Sequence, residues 1–299
     1  MFPLISEHGD TTPMWFGVPI TMSTSNNPTI DSLRVHIDRI DEQIHDLLMA
    51  RASLVERIGS LKSDANLALR PGREAEILRK LSDRHMGIFP KSAIIRIWRE
   101  ILGSLTNIQR PLVIAIAQGG AGAGFIELVR DHFGTTPNVK PIASAGQVVK
   151  LVADDEAPIG VLPLPGLSPD GNEAWWAPLT AENAPKIILR LPFYPYERTD
   201  PVEGLVVAKR MHDETGNDRT FLVIETSAAS SIDRTRALLT KAGFAPTGQP
   251  VSTRLGDLVL HLIEVEGWVA QTDPRLSALV RDQVTHATVV GGYPVPLSA

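Results

Sequence analysis

The 299-residue chain contains no cysteine. This absence excludes disulfide scaffolds, thiolate metal sites and cysteine nucleophiles, and it fits a reducing compartment. No run of about 18 apolar residues occurs, so no segment is predicted to span a membrane. The net charge is −5 and lysine and arginine form no runs, so nothing points to nucleic acid. The sequence therefore predicts a cytoplasmic globular protein, long enough for two or three domains.

The N-terminal segment also lacks basic residues, because no lysine or arginine precedes Arg34. A secretory signal needs a basic start and a longer apolar run, so no export signal is predicted. Met22, followed by the polar residues 23–27, is an alternative translation start. We expect residues 1–28 to be a leader without stable structure.

A long amphipathic helix is predicted over residues 29–63. Its apolar residues recur at spacings of three and four, as on a helix face that packs against other helices: Leu33, Ile37, Ile40, Ile44, Leu47, Val55 and Ile58. Arg51 and Lys62 fall on the same face, about 20° apart around the axis and about 16 Å apart along it, whereas Arg34 lies about 100° away. Since cations are rarely buried without a partner, this pattern predicts an anion inside a helical assembly.

Two shorter helices complete an all-α region at residues 29–110. The second starts near Pro71 and ends near Met86, and the third carries an inward stripe of Ile94, Ile97, Trp98, Ile101, Leu102, Leu105 and Ile108, with Gln109 beyond it. One long and two short helices make a poor monomer, so we expect an intertwined dimer. The alternative for Arg51 and Lys62 is that they reach solvent and pair with Glu56, Asp64 or an acid of a partner.

After Pro111 the pattern changes to alternating strands and helices. A buried-strand run at 112–117 precedes a glycine-rich turn at 119–124, whose spacing is not that of a nucleotide-binding loop. The alternation predicts a small α/β domain at 111–212. A strand–helix–strand–strand–helix order then predicts an α+β domain at 213–299, in which the residues after Thr285 show no clear pattern.

The helical region resembles the all-helical chorismate mutases. Several separated motifs stand in that family's order and spacing: Leu33-Arg34, Asp41, residues 47–51, Lys62, residues 71–78, and residues 98–101 with Gln109 after them. The resemblance covers about 80 residues and implies a homodimer that rearranges chorismate to prephenate in phenylalanine and tyrosine biosynthesis. It implies no cofactor, and the scattered histidines predict no metal site.

The resemblance also implies residue roles. Lys62 and Gln109 would hydrogen-bond the breaking ether oxygen. Arg51 would bind a substrate carboxylate within its own subunit, and Arg34 a carboxylate in the partner's site. Arg73 and Glu74 would contact the enolpyruvyl and ring-hydroxyl side of the substrate. Catalysis would thus rest on Lys62, Gln109, Arg51 and Glu74.

Two positions depart from the mutase pattern. Arg70 stands where the family often has an aspartate that helps to hold the ring hydroxyl, and Leu105 stands where a serine near a carboxylate is common. The ether-oxygen pair is unaffected. We therefore expect activity, and the departures favour a raised KM.

The rest of the chain resembles prephenate dehydratase followed by an ACT domain, with eroded motifs. Pro165-Gly166 replaces an expected Glu-Asn, and Val202-Glu203-Gly204 replaces the Thr-Arg-Phe that carries the catalytic threonine. Two ACT motifs are altered at residues 231–233 and 251–254, which weakens the case for phenylalanine feedback, although an aromatic amino acid stays the candidate effector. We expect a degenerate dehydratase-like domain and an ACT-like domain of structural or regulatory role.

Three alternatives remain open at the level of sequence. An isochorismate-pyruvate lyase shares the helical fold and the pocket chemistry. A non-catalytic sensor of aromatic metabolites is favoured by Arg70 and Leu105. A working mutase–dehydratase would form phenylpyruvate, and we expect none.

Overall fold

A computed structural model describes residues 29–61, 69–118, 122–166, 174–197, 202–227, 231–281 and 283–298. The predicted leader and Lys62 lie outside these ranges. The chain divides into two compact units, residues 1–54 and 55–299. Along the described ranges, no helix is long and apolar enough to cross a bilayer.

Helix α1 runs from Ile30 to Leu61 and confirms the predicted long helix. Asp31 lies in its first turn, where a negative charge is favoured by the helix dipole. None of its residues is buried in the single chain. The apolar stripe is therefore exposed, with Ile37, Ile44 and Leu47 at 55%, 52% and 70% exposure.

Helices α2 (Pro71–Arg84) and α3 (Lys91–Gln109) follow. Proline at the first position of α2 suits a helix start, because its missing N–H would have no partner there. The predicted inward stripe of α3 is wrong in part. In the single chain, α3 buries Ile95, Arg99, Leu102, Gly103, Leu105 and Thr106, whereas Ile97 and Ile108 are exposed.

Part of the α2–α3 core comes from residues far along the chain. Ala75, Leu78, Ile95 and Leu102 form one buried cluster with Phe193 and Tyr194, which follow strand β4 (Lys186–Leu191). Leu78 and Ile95 are fully buried. These two helices are therefore packed by the α/β part of the chain.

Among the residues that the structure describes, the α/β part has nine strands, four helices and a short 3-10 helix at Ala177–Thr180. Besides β4, the strands are β1 (Val113–Ala117), β2 (Asn138–Ile142), β3 (Ile159–Pro163), β5 (Gly204–Ala208), β6 (Asp218–Ser227), β7 (Pro246–Leu255), β8 (Leu258–Glu266) and β9 (Val284–Pro294). The helices are α4 (Gly122–Phe133), α5 (Ala145–Ala153), α6 (Ile232–Lys241) and α7 (Pro274–Leu279).

All nine strands form one mixed sheet in the order β2-β1-β3-β5-β4-β9-β6-β8-β7. The first five strands in that order form a mixed half, and β9, β6, β8 and β7 form an antiparallel half. The halves meet where β4 pairs in parallel with β9, at Ile187 and Gly291. A Cβ on Gly291 would lie 2.2 Å from the Ile187 nitrogen, so this junction requires glycine.

The four-stranded half has β-α-β-β-α-β connectivity, the order of a ferredoxin-like unit. Its last strand, β9, occupies the C-terminal residues for which the sequence showed no clear pattern. The sequence pattern predicts a helix over residues 273–284, whereas α7 ends at Leu279 and Val284 already belongs to β9. The predicted domain boundaries at 110 and 212 stay predictions, although the sheet is continuous across the second one.

Helix α3 crosses α4 at very short range. A Cβ on Gly103 would lie 1.9 Å from the carbonyl oxygen of Phe133 and 2.5 Å from its carbonyl carbon. Because both atoms belong to the backbone, no side-chain rotation can make room. The contact between the helical region and the α/β part therefore depends on a residue without a side chain.

We expect Gly103→Ala to lower the free energy of unfolding by about 2 kcal/mol or more, as overpacking does. Helix propensity alone predicts the opposite sign, a gain of up to about 1 kcal/mol. The matched control is Gly59→Ala in α1, where a new Cβ would meet only the Gln109 side chain at 3.5 Å. Urea denaturation of both variants checks this, and equal midpoints would contradict the close approach.

Candidate active site

The two predicted site arginines of α1 differ in their surroundings. Arg34 is exposed and forms an ion pair with Asp31 at 3.2 Å, one turn away on the same helix. Arg51 lies further along the helix and is half-buried. An exposed i,i+3 pair contributes little to stability, so Arg34 can exchange Asp31 for another carboxylate at small cost.

Gln109 is the last residue of α3 and is half-buried. Its side chain faces Gly59 of α1, whose position leaves room for the Gln109 Cγ at an ordinary contact distance. A half-buried amide keeps donors and acceptors for hydrogen bonding. Its predicted companion at the ether oxygen, Lys62, lies outside the described residues.

Arg73 and Glu74 are neighbours in the first turn of α2 but have opposite environments. Arg73 is exposed, pairs with Glu76 at 2.8 Å, and lines a cavity of about 150 Å³ together with Arg70 and Arg210. Glu74 is buried at 8% exposure. The two side chains that the sequence assigned to the same side of a substrate therefore diverge in the single chain.

Glu74 forms a buried ion pair with Arg99 of α3. Both terminal nitrogens of Arg99 donate to the same carboxylate oxygen, Oε2, at 2.7 and 3.0 Å. Arg99 is 3% exposed, and its guanidinium also lies 5.7 Å from the ring centre of Phe193. Burial lowers the pKa of Arg99, and the adjacent Glu74 charge opposes that shift. The pair holds a carboxylate of the predicted site in one orientation.

His132, in the last turn of α4, completes this cluster. Its Nε2 lies 3.4 Å from both terminal nitrogens of Arg99. Because an arginine can only donate, Nε2 accepts and the ring proton lies on Nδ1. Burial, and secondly the Arg99 charge, lower the pKa of His132 well below its ordinary value. The ring is therefore neutral at physiological pH.

Arg79, in the middle of α2, connects that helix to the α/β part. Its guanidinium donates to the carbonyl oxygens of Asn217 and Val295, at 2.8 and 3.0 Å, and to the hydroxyl of Thr215 at 3.0 Å. Arg70 forms a longer pair with Asp213 at 3.5 Å. Helix α2, which carries Arg73 and Glu74, is therefore held along its length.

Sequence reasoning assigned no role to Arg99 or His132. Arg99 stands within the family-like motif at 98–101, and a signal was available, because it lies four residues after Ile95 and three before Leu102 on the buried face. A cation between two core positions implies a buried acid. His132 is 33 residues away from Arg99, and no local pattern joins the two.

Comparisons with known proteins give a partial match. Residues 33–110 match the family model for chorismate mutase type II. The bifunctional chorismate mutase/prephenate dehydratase of Aquifex aeolicus is 35% identical over 141 residues, which are 45% of this chain and 38% of that protein. Its counterpart in Neisseria gonorrhoeae is 32% identical over 140 residues, with 46% and 38% covered. The chain thus spans about two fifths of the length of these relatives.

Among solved structures, prephenate dehydratases have a limited similarity. The enzyme from Streptococcus mutans aligns with a TM-score of 0.45 and 12% identity over 63% of this chain and 100% of that one. The enzyme from Arthrobacter aurescens in complex with L-Phe gives 0.46 and 14%, over 61% and 90%. Scores this low do not establish a common fold. The family match does establish that the chain contains a chorismate mutase type II domain at residues 33–110.

Proposed function

We propose that this protein is a chorismate mutase that converts chorismate to prephenate in phenylalanine and tyrosine biosynthesis, in the cytoplasm. The observation that carries the proposal is the family match at residues 33–110. The residue chemistry supports it, since the matched segment contains Arg34, Arg51, Lys62, Arg73 and Gln109. Chorismate is a dianion, and these side chains supply cations and an amide donor.

The rearrangement is pericyclic and needs neither a covalent nucleophile nor a proton carrier. The site must select a compact conformer of the substrate and stabilise the negative charge that builds on the ether oxygen. Fixed donors in a water-poor pocket perform both tasks. We assign Lys62 and Gln109 to the ether oxygen, Arg34 and Arg51 to the carboxylates, and Arg73 with Glu74 to the remaining side of the substrate.

The active form is proposed to be an intertwined homodimer. The stripe of α1 is exposed in the single chain, and a row of large apolar side chains of this length marks an association surface. Ile97 and Ile108 of α3 are exposed as well. A second copy of the same region would cover these surfaces and bring Arg34 to the partner's site.

The C-terminal half is proposed to have a structural or regulatory role without dehydratase activity. Glu203 stands where the dehydratase motif has an arginine, and it pairs with Arg190 at 3.0 Å. A carboxylate cannot supply the hydrogen-bond donors that an arginine offers to an anionic substrate. The ferredoxin-like connectivity of β6–β9 supports an ACT-like assignment, and an aromatic amino acid is its candidate effector.

The mutase assignment predicts that Lys62→Ala and Gln109→Ala each lower kcat by about 10²–10³-fold, because each removes a donor to the developing oxyanion. The matched control is Lys80→Ala, which removes an exposed cation of α2. Loss of chorismate absorbance gives the rates. Product analysis must find prephenate from chorismate, no salicylate from isochorismate, and no phenylpyruvate at neutral pH.

Each competing function has its own result in that assay. Salicylate formation would identify an isochorismate-pyruvate lyase. Binding of chorismate without turnover by the wild type would identify a sensor, and phenylpyruvate would show a working dehydratase. An equal loss in Lys80→Ala would remove the assignment of Lys62 and Gln109.

The dimer predicts a solution mass twice the 32.5 kDa of one chain. Ile44→Asp places a charge in the middle of the stripe, so we expect a monomer that has lost mutase activity together with the partner's Arg34. Glu42→Gln changes a residue on the opposite face of α1 and should leave both unchanged. Light scattering coupled to gel filtration measures this, and a wild-type monomer with full activity would refute the dimer.

A further inference from the structure

We propose that His132 and Arg99 are positioning residues for the mutase site, through which helix α4 of the α/β part sets the orientation of Glu74. This inference rests on the proposed function, because it assigns a purpose to Glu74 at that site. It goes beyond the resemblance, which gave neither residue a role.

The first step is the fixed carboxylate. Glu74 belongs to the first turn of α2, and Arg99 holds its Oε2 with two donors from α3. A buried carboxylate without such a partner would be protonated or turned toward water. The pair therefore holds Glu74 in one rotamer, as an acceptor for a substrate hydroxyl must be held.

The second step is the fixed guanidinium. The guanidinium of Arg99 is planar and carries several donors. When it is hydrogen-bonded to a single acceptor, it can still rotate about the side-chain bonds that carry it. Nε2 of His132 provides a second acceptor on the same two nitrogens, at 3.4 Å from each. The ring of His132 is itself held edge-on by Phe133 at 4.7 Å and by Phe193 at 6.4 Å between ring centres. His132 of α4 thus fixes the orientation of the Arg99 guanidinium.

The third step is the rigid support. Close to His132, Gly103 allows the backbone of α3 to touch the carbonyl of Phe133. The α3–α4 distance is therefore fixed by backbone contact within one residue of the histidine. A residue of the α/β part can then position a side chain of α2 to within the tolerance that a binding site requires.

The test uses a matched pair of amides in the full-length protein. In His132→Gln the amide oxygen occupies the place of Nε2 and keeps the acceptor, whereas in His132→Asn the shorter amide cannot reach Arg99. We expect His132→Asn to raise the KM for chorismate about fivefold with kcat little changed, and His132→Gln to stay near wild type. The effect falls on KM because the substrate hydroxyl is bound before and during the reaction.

A purely structural role would give a different result. It would lower the melting temperature without changing KM at a temperature where circular dichroism shows the variant folded. With a purely structural role, His132→Asn would add its own effect to that of Glu74→Gln. If His132 acts through Glu74, His132→Asn has no further effect on KM in the Glu74→Gln variant. The matched control is Arg96→Gln, which removes another α3–α4 ion pair, to Asp131 at 3.7 Å, without touching Glu74.

Each result bears on one claim. If wild type turns over chorismate and His132→Asn, His132→Gln and Arg96→Gln share its KM, positioning is refuted and the mutase assignment stands. If wild type has no turnover, the mutase assignment fails and positioning fails with it. Should His132→Asn not fold, Arg99→Lys tests the same arrangement, because a single ammonium replaces the guanidinium, and an unchanged KM there would equally refute it.

Discussion

The ion pair between Glu74 and Arg99 is the contact on which the arrangement of α2, α3 and α4 depends. Removing two charges from water costs several kcal/mol per ion, and only good geometry recovers it. Here both donors of Arg99 lie within 3.0 Å of one oxygen, and a neutral histidine accepts from the same nitrogens. A shift of α2 or α3 would leave a buried charge without its partner, and a shift of α4 would remove the second acceptor of Arg99. The three helices therefore form one rigid element.

The continuous sheet extends this rigidity across the α/β part. Gly291 brings β9 against β4, and one core continues across the junction, with Trp176 and Leu179 packed among residues of both halves, including Val148 and Leu262. Arg79 of α2 binds the carbonyl of Val295, directly after β9. Helix α2 is thus connected to the sheet at the strand that joins its two halves.

Local patterns in the sequence predicted most of the elements, and failed where the decisive partner is remote. The stripe of α1, the strand run before the glycine-rich turn, and the helix–strand order of the C-terminal half follow from apolar periodicity and breakers. Strand β9 was not predicted, because Gly291 and Gly292 interrupt its apolar run. Gly291 is nevertheless the residue that permits the junction with β4. On α3 two apolar faces compete, and which one the single chain buries is decided by α4 and Phe193, distant in sequence.

The candidate site shows the same difference. A sequence motif can indicate which residues belong to the site, whereas their contacts with residues distant in sequence form only in the folded chain. The resemblance supplied Arg34, Arg51, Arg73 and Glu74 as candidates, but it did not show that Glu74 would be buried against Arg99.

The helical region consequently has two apolar surfaces that must be covered by different partners. The exposed stripe of α1 needs another copy of the same region, since water is a poor solvent for its large apolar side chains. The α2–α3 pair instead needs the α/β part, because Leu78 and Ile95 are covered together with Phe193 and Tyr194, and the terminal nitrogens of Arg99 lie beside the ring of His132. Separated from the residues after 110, the α2–α3 pair would expose its core, and Arg99 would lose His132 as its second acceptor. In the proposed enzyme the substrate-binding arginines of α1 would thus depend on dimer formation, whereas Glu74 depends on the fused α/β part.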